Sequence, residues 1–347
     1  MTADPRGTRP AKIAVLGSGS WGTTFAKVVA DASPDTPVML WSRRPEVAAE
    51  ITTGHRNSRY LGDTVLPANI TASADVGEVL AGSDLVILAV PAQSLRAQLP
   101  AWRDLIASHA VVVSLMKGLE VGTDARMSEV IAEELALPEE RIAVLSGPNL
   151  AMEIAREEPT ASVVACVDHD TAAWIAAACT ASYFRPYTST DVIGVEIGGI
   201  VKNVIALAVG ICEGRRMGDN TKASVITRGL AETTRLAVAL GGRRETMAGL
   251  AGMGDLIATC SSALSRNHTA GRLLGQGLIL DEVTARMNQT AEGIKSAQAV
   301  LDSAEQHGVD MPITESVVAV LQGQLSVNDL GPRLLARNLK PEGDHTP

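Results

Sequence analysis

Lys202 stands in the run Ile197-Gly198-Gly199-Ile200-Val201-Lys202-Asn203-Val204-Ile205-Ala206-Leu207, one ammonium among apolar side chains. Burying such an amine is costly unless it faces a polar cavity or a counter-charge. Desolvation pulls a lysine pKa toward neutrality, which suits a group that gives and takes protons. A lysine that packs its stem and sends its head to solvent has the same local sequence. Asp255, in Gly249-Leu250-Ala251-Gly252-Met253-Gly254-Asp255-Leu256, is the counter-charge the chain offers. The three glycines permit close approach to another helix or a ligand, and a carboxylate there would orient Lys202 and offset its burial. Plain helix capping is the alternative role for Asp255.

Ser265-Arg266-Asn267 opens a helical stretch. The Ser265 hydroxyl can cap it, and free N–H groups with the Arg266 fork make a small anion site that would suit a phosphate monoester. Capping without any ligand needs the same residues. Glu292-Gly293 is another helix opening. The six histidines lie in polar or terminal surroundings without metal-ligand spacing. Cys166, Cys179, Cys212 and Cys260 are widely spaced, which reads as buried free thiols in a reducing cytoplasm and argues against a structural metal.

A second chemical signature lies near the N-terminus. Gly17-Ser18-Gly19-Ser20-Trp21-Gly22 follows the apolar run Ile13-Ala14-Val15-Leu16 and precedes a helix-forming run from Phe25 to Ala30. The G-x-G-x-x-G string alone is weak; between a buried-type strand and a helix it points to a dinucleotide, whose pyrophosphate meets backbone N–H groups and the helix N-terminus. The second strand, Val38-Met39-Leu40-Trp41, ends in Ser42-Arg43-Arg44 with no acid at its tip. Two guanidiniums there would attract a 2′-phosphate, so NADPH is expected in preference to NADH. A solvated basic loop is the alternative.

These residues need elements to hold them. Strands are expected at Lys12–Leu16, Val38–Ser42, Leu85–Val90, Val111–Leu115, Ile142–Leu145, Ala161–Ala165 and Tyr183–Tyr187. Several are continuous apolar runs, as in a parallel sheet covered by helices on both faces. The fold class expected is α/β: a Rossmann-like, doubly wound domain over residues 11–190, then an all-helical substrate domain over 191–340. Helices of the second domain are expected at 193–213, 221–240, 245–259, 267–275, 281–286, 292–306 and 312–323, broken by glycines. Ligands of open α/β sheets bind beyond the carboxyl ends of the strands. Lys117, after the fourth expected strand, is placed for that, although a surface loop lysine would look the same. Gly147, in Ser146-Gly147-Pro148-Asn149 after the next strand, would let backbone approach a ligand.

Composition narrows the class. At 347 residues two domains are the natural expectation. The net charge of −9 with no basic block argues against nucleic acid as the partner. Aromatics are only 3%, so the cores must rest on Ala, Val, Ile and Leu. The run Ile193–Cys212 is long and apolar, but Glu196, Lys202 and Asn203 within it favour a buried helix over membrane insertion. The first ten residues read as a disordered tail and those after about 340 as frayed. Base rates for soluble enzymes suggest a homodimer.

In order and spacing, several motifs resemble those of bacterial NAD(P)-dependent glycerol-3-phosphate dehydrogenases. They are Gly17–Gly22, Lys117-Gly118-Leu119-Glu120, Ser146-Gly147-Pro148, Val201-Lys202-Asn203-Val204, Ile226–Glu232, Ala251–Asp255, Ser265-Arg266-Asn267, Glu292-Gly293 and Met311-Pro312-Ile313-Thr314. The resemblance covers residue 11 to about 340. It implies a cytoplasmic enzyme that reduces dihydroxyacetone phosphate to sn-glycerol 3-phosphate for glycerophospholipid synthesis. It makes Lys202 the proton acceptor in the oxidation of glycerol phosphate, hence the donor in reduction. It assigns substrate contacts to Lys117, Gly147, Asn149, Lys202, Asp255, Ser265, Arg266 and Asn267. It assigns cofactor contacts to Ser20, Trp21, Arg43, Arg44, Tyr60, Lys117, Ala151, Arg266, Thr290 and Glu292, beside Gly17, Gly19 and Gly22 of the loop. The family usually carries Ser or Thr after Gly-Pro; Asn149 is longer and can still hydrogen-bond. The expected arrangement puts the ketone between the domains, its phosphate on Arg266, with Lys117 stabilising the developing alkoxide. A β-hydroxyacid dehydrogenase, a ketopantoate reductase and a non-catalytic redox sensor are the competing readings.

Overall fold

In the computed structural model, which describes residues 9–287 and 291–335, the chain divides into two units. The first runs to Met116 and resumes over Met127–Val192; the second comprises Lys117–Arg126 and the chain from Ile193 onward. The expected tail over the first residues, the frayed end after 340 and Thr290 lie outside the described residues.

The first unit contains β1 (Ile13–Leu16), β2 (Val38–Trp41), β3 (Ile70–Ser73), β4 (Leu85–Leu88), β5 (Val111–Ser114), β6 (Ile142–Ser146), β7 (Thr160–Ala165) and β8 (Phe184–Ser189). They form one sheet in the order β3-β2-β1-β4-β5-β6-β7-β8. Every residue of β1, β4, β5 and β6 is buried, which is why these strands read as unbroken apolar runs. The helices of the unit include α1 (Ser20–Ala32), α2 (Pro45–Gly54), α3 (Leu95–Trp102), α4 (Met127–Leu135), α5 (Ala151–Ala155) and α6 (His169–Ala178). The core is mainly aliphatic, with Phe25 and Phe184 meeting edge-on at 6.0 Å.

Two features correct the sequence expectation. β3 was not anticipated: Ile-Thr-Ala-Ser is a short edge strand with one buried side chain, so it carries no apolar run. It makes the strand before Lys117 the fifth. The sheet is also not wholly parallel, because β7 pairs antiparallel with β6 while β8 runs parallel to β7. The β6–β7 connection contains only the five-residue α5, too short to carry the chain back to the opposite edge.

The second unit is helical: α7 (Val192–Gly214), α8 (Asp219–Ala239), α9 (Asp255–Ser261), α10 (Arg266–Gly275), α11 (Leu280–Arg286), α12 (Glu292–Gln306), α13 (Pro312–Leu321) and α14 (Leu330–Leu335). α7 has the length and mean hydropathy, 1.9, of a membrane span, yet 94% of that stretch is buried within the protein. A helix packed on all sides is apolar all round. The expected helix over 245–259 is instead three pieces: a turn at Arg244–Met247, a π turn at Leu250–Gly254, and α9. All four cysteines are buried free thiols, and desolvation pushes Cys179 and Cys260 up to about 12.

Candidate active site

In the first unit the loop from Gly17 to Gly22 crosses the carboxyl ends of β1 and β4, where the strand order reverses. Gly17 has φ +127°, and a Cβ there would lie 2.4 Å from the Ala89 carbonyl oxygen after β4. A Cβ on Gly22 would lie 2.0 Å from the Gly17 oxygen. Gly19, by contrast, has open space where its Cβ would be. The outer glycines therefore serve packing and the middle one leaves room for a ligand. Ser20 begins α1, whose first N–H groups are free by helix geometry. Trp21 packs on Phe25 at 5.5 Å, and its buried indole N–H has no partner among the described residues.

The end of β2 supplies cations. Ser42 is buried, Arg43 exposed and Arg44 partly covered. The Arg44 guanidinium donates to the Tyr60 hydroxyl at 3.4 Å and lies 5.6 Å from that ring's centre. The Ala151 carbonyl, at the start of α5, accepts from Thr24 of α1 at 3.2 Å. Open space at Gly19, an orphaned indole donor and two arginines with no acid at the strand end fit a dinucleotide with a 2′-phosphate.

Beyond β6, Gly147 has φ +149°, and a Cβ there would press on Ser162 at 3.0 Å. Both polar atoms of the Asn149 side chain are buried without partners among the described residues. Buried amides normally find partners, so this one fits a ligand contact.

In the second unit one carboxylate joins two amines. Asp255 Oδ1 accepts from Lys202 Nζ at 2.6 Å, and Oδ2 accepts from Lys117 Nζ at 2.6 Å. Lys202 Nζ also reaches Thr259 Oγ1 at 2.7 Å, and Thr259 donates to Asp255 Oδ1 at 3.2 Å. The Asp255 side chain is 1% exposed and the Lys202 side chain 9%. Lys202 faces its counter-charge inside the unit and does not send its head to solvent. Burial is the largest influence on Lys117; with the Lys202 charge it outweighs the pull of Asp255, and the amine's pKa falls to about 8.

A relay of amides flanks this cluster. Asn203 Nδ2 donates to the Lys117 carbonyl at 3.4 Å, Asn267 Nδ2 donates to Asn203 Oδ1 at 2.9 Å, and the Gly293 N–H donates to Asn267 Oδ1 at 2.9 Å. Ser265 caps α10, its hydroxyl accepting from His268 N–H at 3.2 Å. Arg266, exposed, is the first residue of α10. Glu292 opens α12; desolvation raises its pKa against the pull of Arg266, Lys117 and Lys202.

Thr259 and Asn203 belong to this cluster and were not among the expected site residues. Thr259 is four residues after Asp255, hence on the same helix face, and Asn203 follows Lys202 directly; both spacings were readable. His268, expected in polar surroundings, is buried beside a carboxylate. It is 4% exposed, with Nε2 2.9 Å from the Glu213 carboxylate.

Comparison with known proteins gives two matching family models. The family model for the NAD-dependent glycerol-3-phosphate dehydrogenase N-terminus matches residues 12–172, and that for the C-terminus matches residues 191–331. The chain is 59% identical over 331 residues to glycerol-3-phosphate dehydrogenase [NAD(P)+] of Thermobifida fusca, covering 95% of this chain and 98% of that one. It is 56% identical to the Streptomyces griseus protein of the same name, covering 96% and 99%. The crystal structure of glycerol-3-phosphate dehydrogenase from Coxiella burnetii superposes with a TM-score of 0.89 at 35% identity, covering 95% of this chain and 100% of that one.

Proposed function

The chain belongs to the NAD-dependent glycerol-3-phosphate dehydrogenase family, and from that premise we propose how its residues work. The reaction is the reversible reduction of dihydroxyacetone phosphate to sn-glycerol 3-phosphate with NADPH or NADH. When bound, the reduced nicotinamide supplies the hydride. Lys202 gives a proton to the carbonyl oxygen as charge develops there, and takes it back in the reverse direction. Asp255 orients Lys202 and keeps its amine tolerable in an apolar helix. The charged amine of Lys117 stabilises the developing alkoxide. Arg266 with the opening of α10 receives the substrate phosphate, and the Asn149 amide contacts the substrate. The Arg43 and Arg44 pair makes NADPH the preferred reductant. The enzyme acts in the cytoplasm as a homodimer, and its product enters glycerophospholipid synthesis.

The observation that carries this reading is the buried Lys202–Asp255–Lys117 cluster, two amines on one carboxylate at 2.6 Å each. Following NADPH absorbance on addition of dihydroxyacetone phosphate, ketopantoate or buffer tests it. Oxidation with the first alone is expected. Oxidation with ketopantoate instead would replace the substrate assignment.

A further inference from the structure

Three of the six residues from Gly17 to Gly22 are glycines without side chains, so groups outside the loop help to set the direction of its peptides. We propose that Asn57 is a positioning residue that fixes the peptide between Ser18 and Gly19 and ties it to the cation at the end of β2; this rests on the dinucleotide reading above.

Asn57 is completely buried, and its Nδ2 donates twice: to the Ser18 carbonyl at 2.9 Å and to Thr23 Oγ1 at 2.8 Å. Ser18 lies in the loop and Thr23 in the first turn of α1, so one amide group holds both ends of the turn. A trans peptide points its C=O and its N–H in opposite directions. With the Ser18 carbonyl drawn onto Asn57, the Gly19 N–H points the other way. Gly19 is the loop glycine with open space beside it. The orientation set by Asn57 is thus the one that presents a donor to a pyrophosphate. Asn57 Oδ1 has no partner among the described residues, so the contribution of this side chain lies in its two donors.

The same segment reaches the second half of the site. Asn57 directly precedes the single turn Ser58–Leu61, whose N-cap position it occupies without a side-chain capping bond. Ser58 N–H donates to Glu50 of α2 at 3.0 Å, and Tyr60 receives the Arg44 guanidinium. Ser18 Oγ donates to Ser42 Oγ at 2.8 Å, which closes the circuit from the loop back to the end of β2. A short stretch outside the glycine motif therefore sets the pyrophosphate loop and the arginine together.

Asn57→Asp tests this. The side chain keeps its shape, loses both donors and turns lone pairs toward the Ser18 carbonyl. Dissociation constants for NADPH and NADH, by titration of the purified protein, are each expected to rise about tenfold or more, the loss of two hydrogen bonds. The kcat at saturating cofactor is expected to stay within about twofold. NADH should weaken because the pyrophosphate is common to both cofactors, and NADPH at least as much because the arginine is held by the same segment, whereas loss of Arg44 would weaken NADPH alone. Thr23→Val, which removes one acceptor without adding charge, is expected to weaken both about threefold and serves if the aspartate variant does not fold. Unchanged dissociation constants in a folded Asn57→Asp or Thr23→Val protein, or a fall in kcat with cofactor affinity intact, would overturn the proposal. Absence of NADPH and NADH binding by the unaltered protein would instead remove the dinucleotide reading itself.

Discussion

Gly198 of α7 lies against the backbone of Ala251: a Cβ on Gly198 would stand 2.5 Å from the Ala251 carbonyl oxygen. Lys202 is one turn beyond Gly198 on the same face, and Asp255 follows Ala251 by four residues across the π turn. The glycine thus permits the approach that lets the Lys202 amine reach the Asp255 carboxylate. π turns recur at functional sites because they re-aim the residues that follow.

Gly198→Ala should therefore separate the two helical segments. Overpacking of this kind costs about 1–3 kcal/mol. A lowered melting temperature together with a kcat reduced about tenfold or more is expected. Wild-type turnover in this variant would show that the backbone contact does not set the amine–carboxylate distance.

Lys202→Ala should abolish turnover while NADPH titration stays near normal. Loss of a positioned acid–base group costs about a hundredfold to ten-thousandfold. The protein should remain folded, because Asp255 keeps Lys117 as its partner. Asp255→Ala is the harsher change. It leaves two buried amines without their carboxylate and should cost about 3–5 kcal/mol in a denaturant titration. Near-normal turnover in Lys202→Ala would take proton transfer away from this residue.

The reduction rate should fall as pH rises through about 8, because Lys117 loses its charge there. Lys117→Arg stays charged to far higher pH and should move that alkaline limb upward, at a lower plateau if the guanidinium sits less well. A pH–rate profile whose alkaline limb is the same in both proteins would assign it to another group.

Alanine at both Arg43 and Arg44 should raise the Michaelis constant for NADPH far more than that for NADH. The guanidiniums answer to a 2′-phosphate that only NADPH carries. Equal effects on the two cofactors would end the phosphate-clamp assignment.

Glu232 offers a prediction about stability. It is 1% exposed on α8 and accepts from the N–H groups of Ile313 and Thr314, at 2.7 and 3.2 Å, at the start of α13. Burial outweighs those hydrogen bonds and lifts its pKa from 4.5 to about 7. The folded state then holds this proton more tightly than the unfolded one. The resulting stabilisation is present below about pH 4.5 and is lost as pH rises through 7. Glu232→Gln does not titrate, so its stability relative to wild type should improve by roughly 3 kcal/mol between pH 4 and 8. Parallel urea midpoints at the two pH values would contradict this.

The parts of the site readable from sequence were those whose physics is local. A buried strand, a glycine turn and a helix follow one another at Ile13–Ala32, so the dinucleotide loop declares itself in about twenty residues. Lys202 was visible because an amine in an apolar helix asks for a counter-charge. β3 stayed hidden because an edge strand with one buried side chain has no pattern to show. Thr259 and Asn203 had readable spacings, but each matters only because of what it faces.

The sequence by itself determined the buried strands, the apolar helix over Val192–Gly214 and the kinds of group that need partners, since periodicity and desolvation act over neighbouring residues. Only the tertiary structure decided that Lys117 and Asp255, 138 positions apart, would share a 2.6 Å contact. It also decided that β7 runs against β6, and that a π turn replaces part of a helix. Those outcomes depend on which surfaces meet at van der Waals distance. Many sequences with the same local pattern would meet differently.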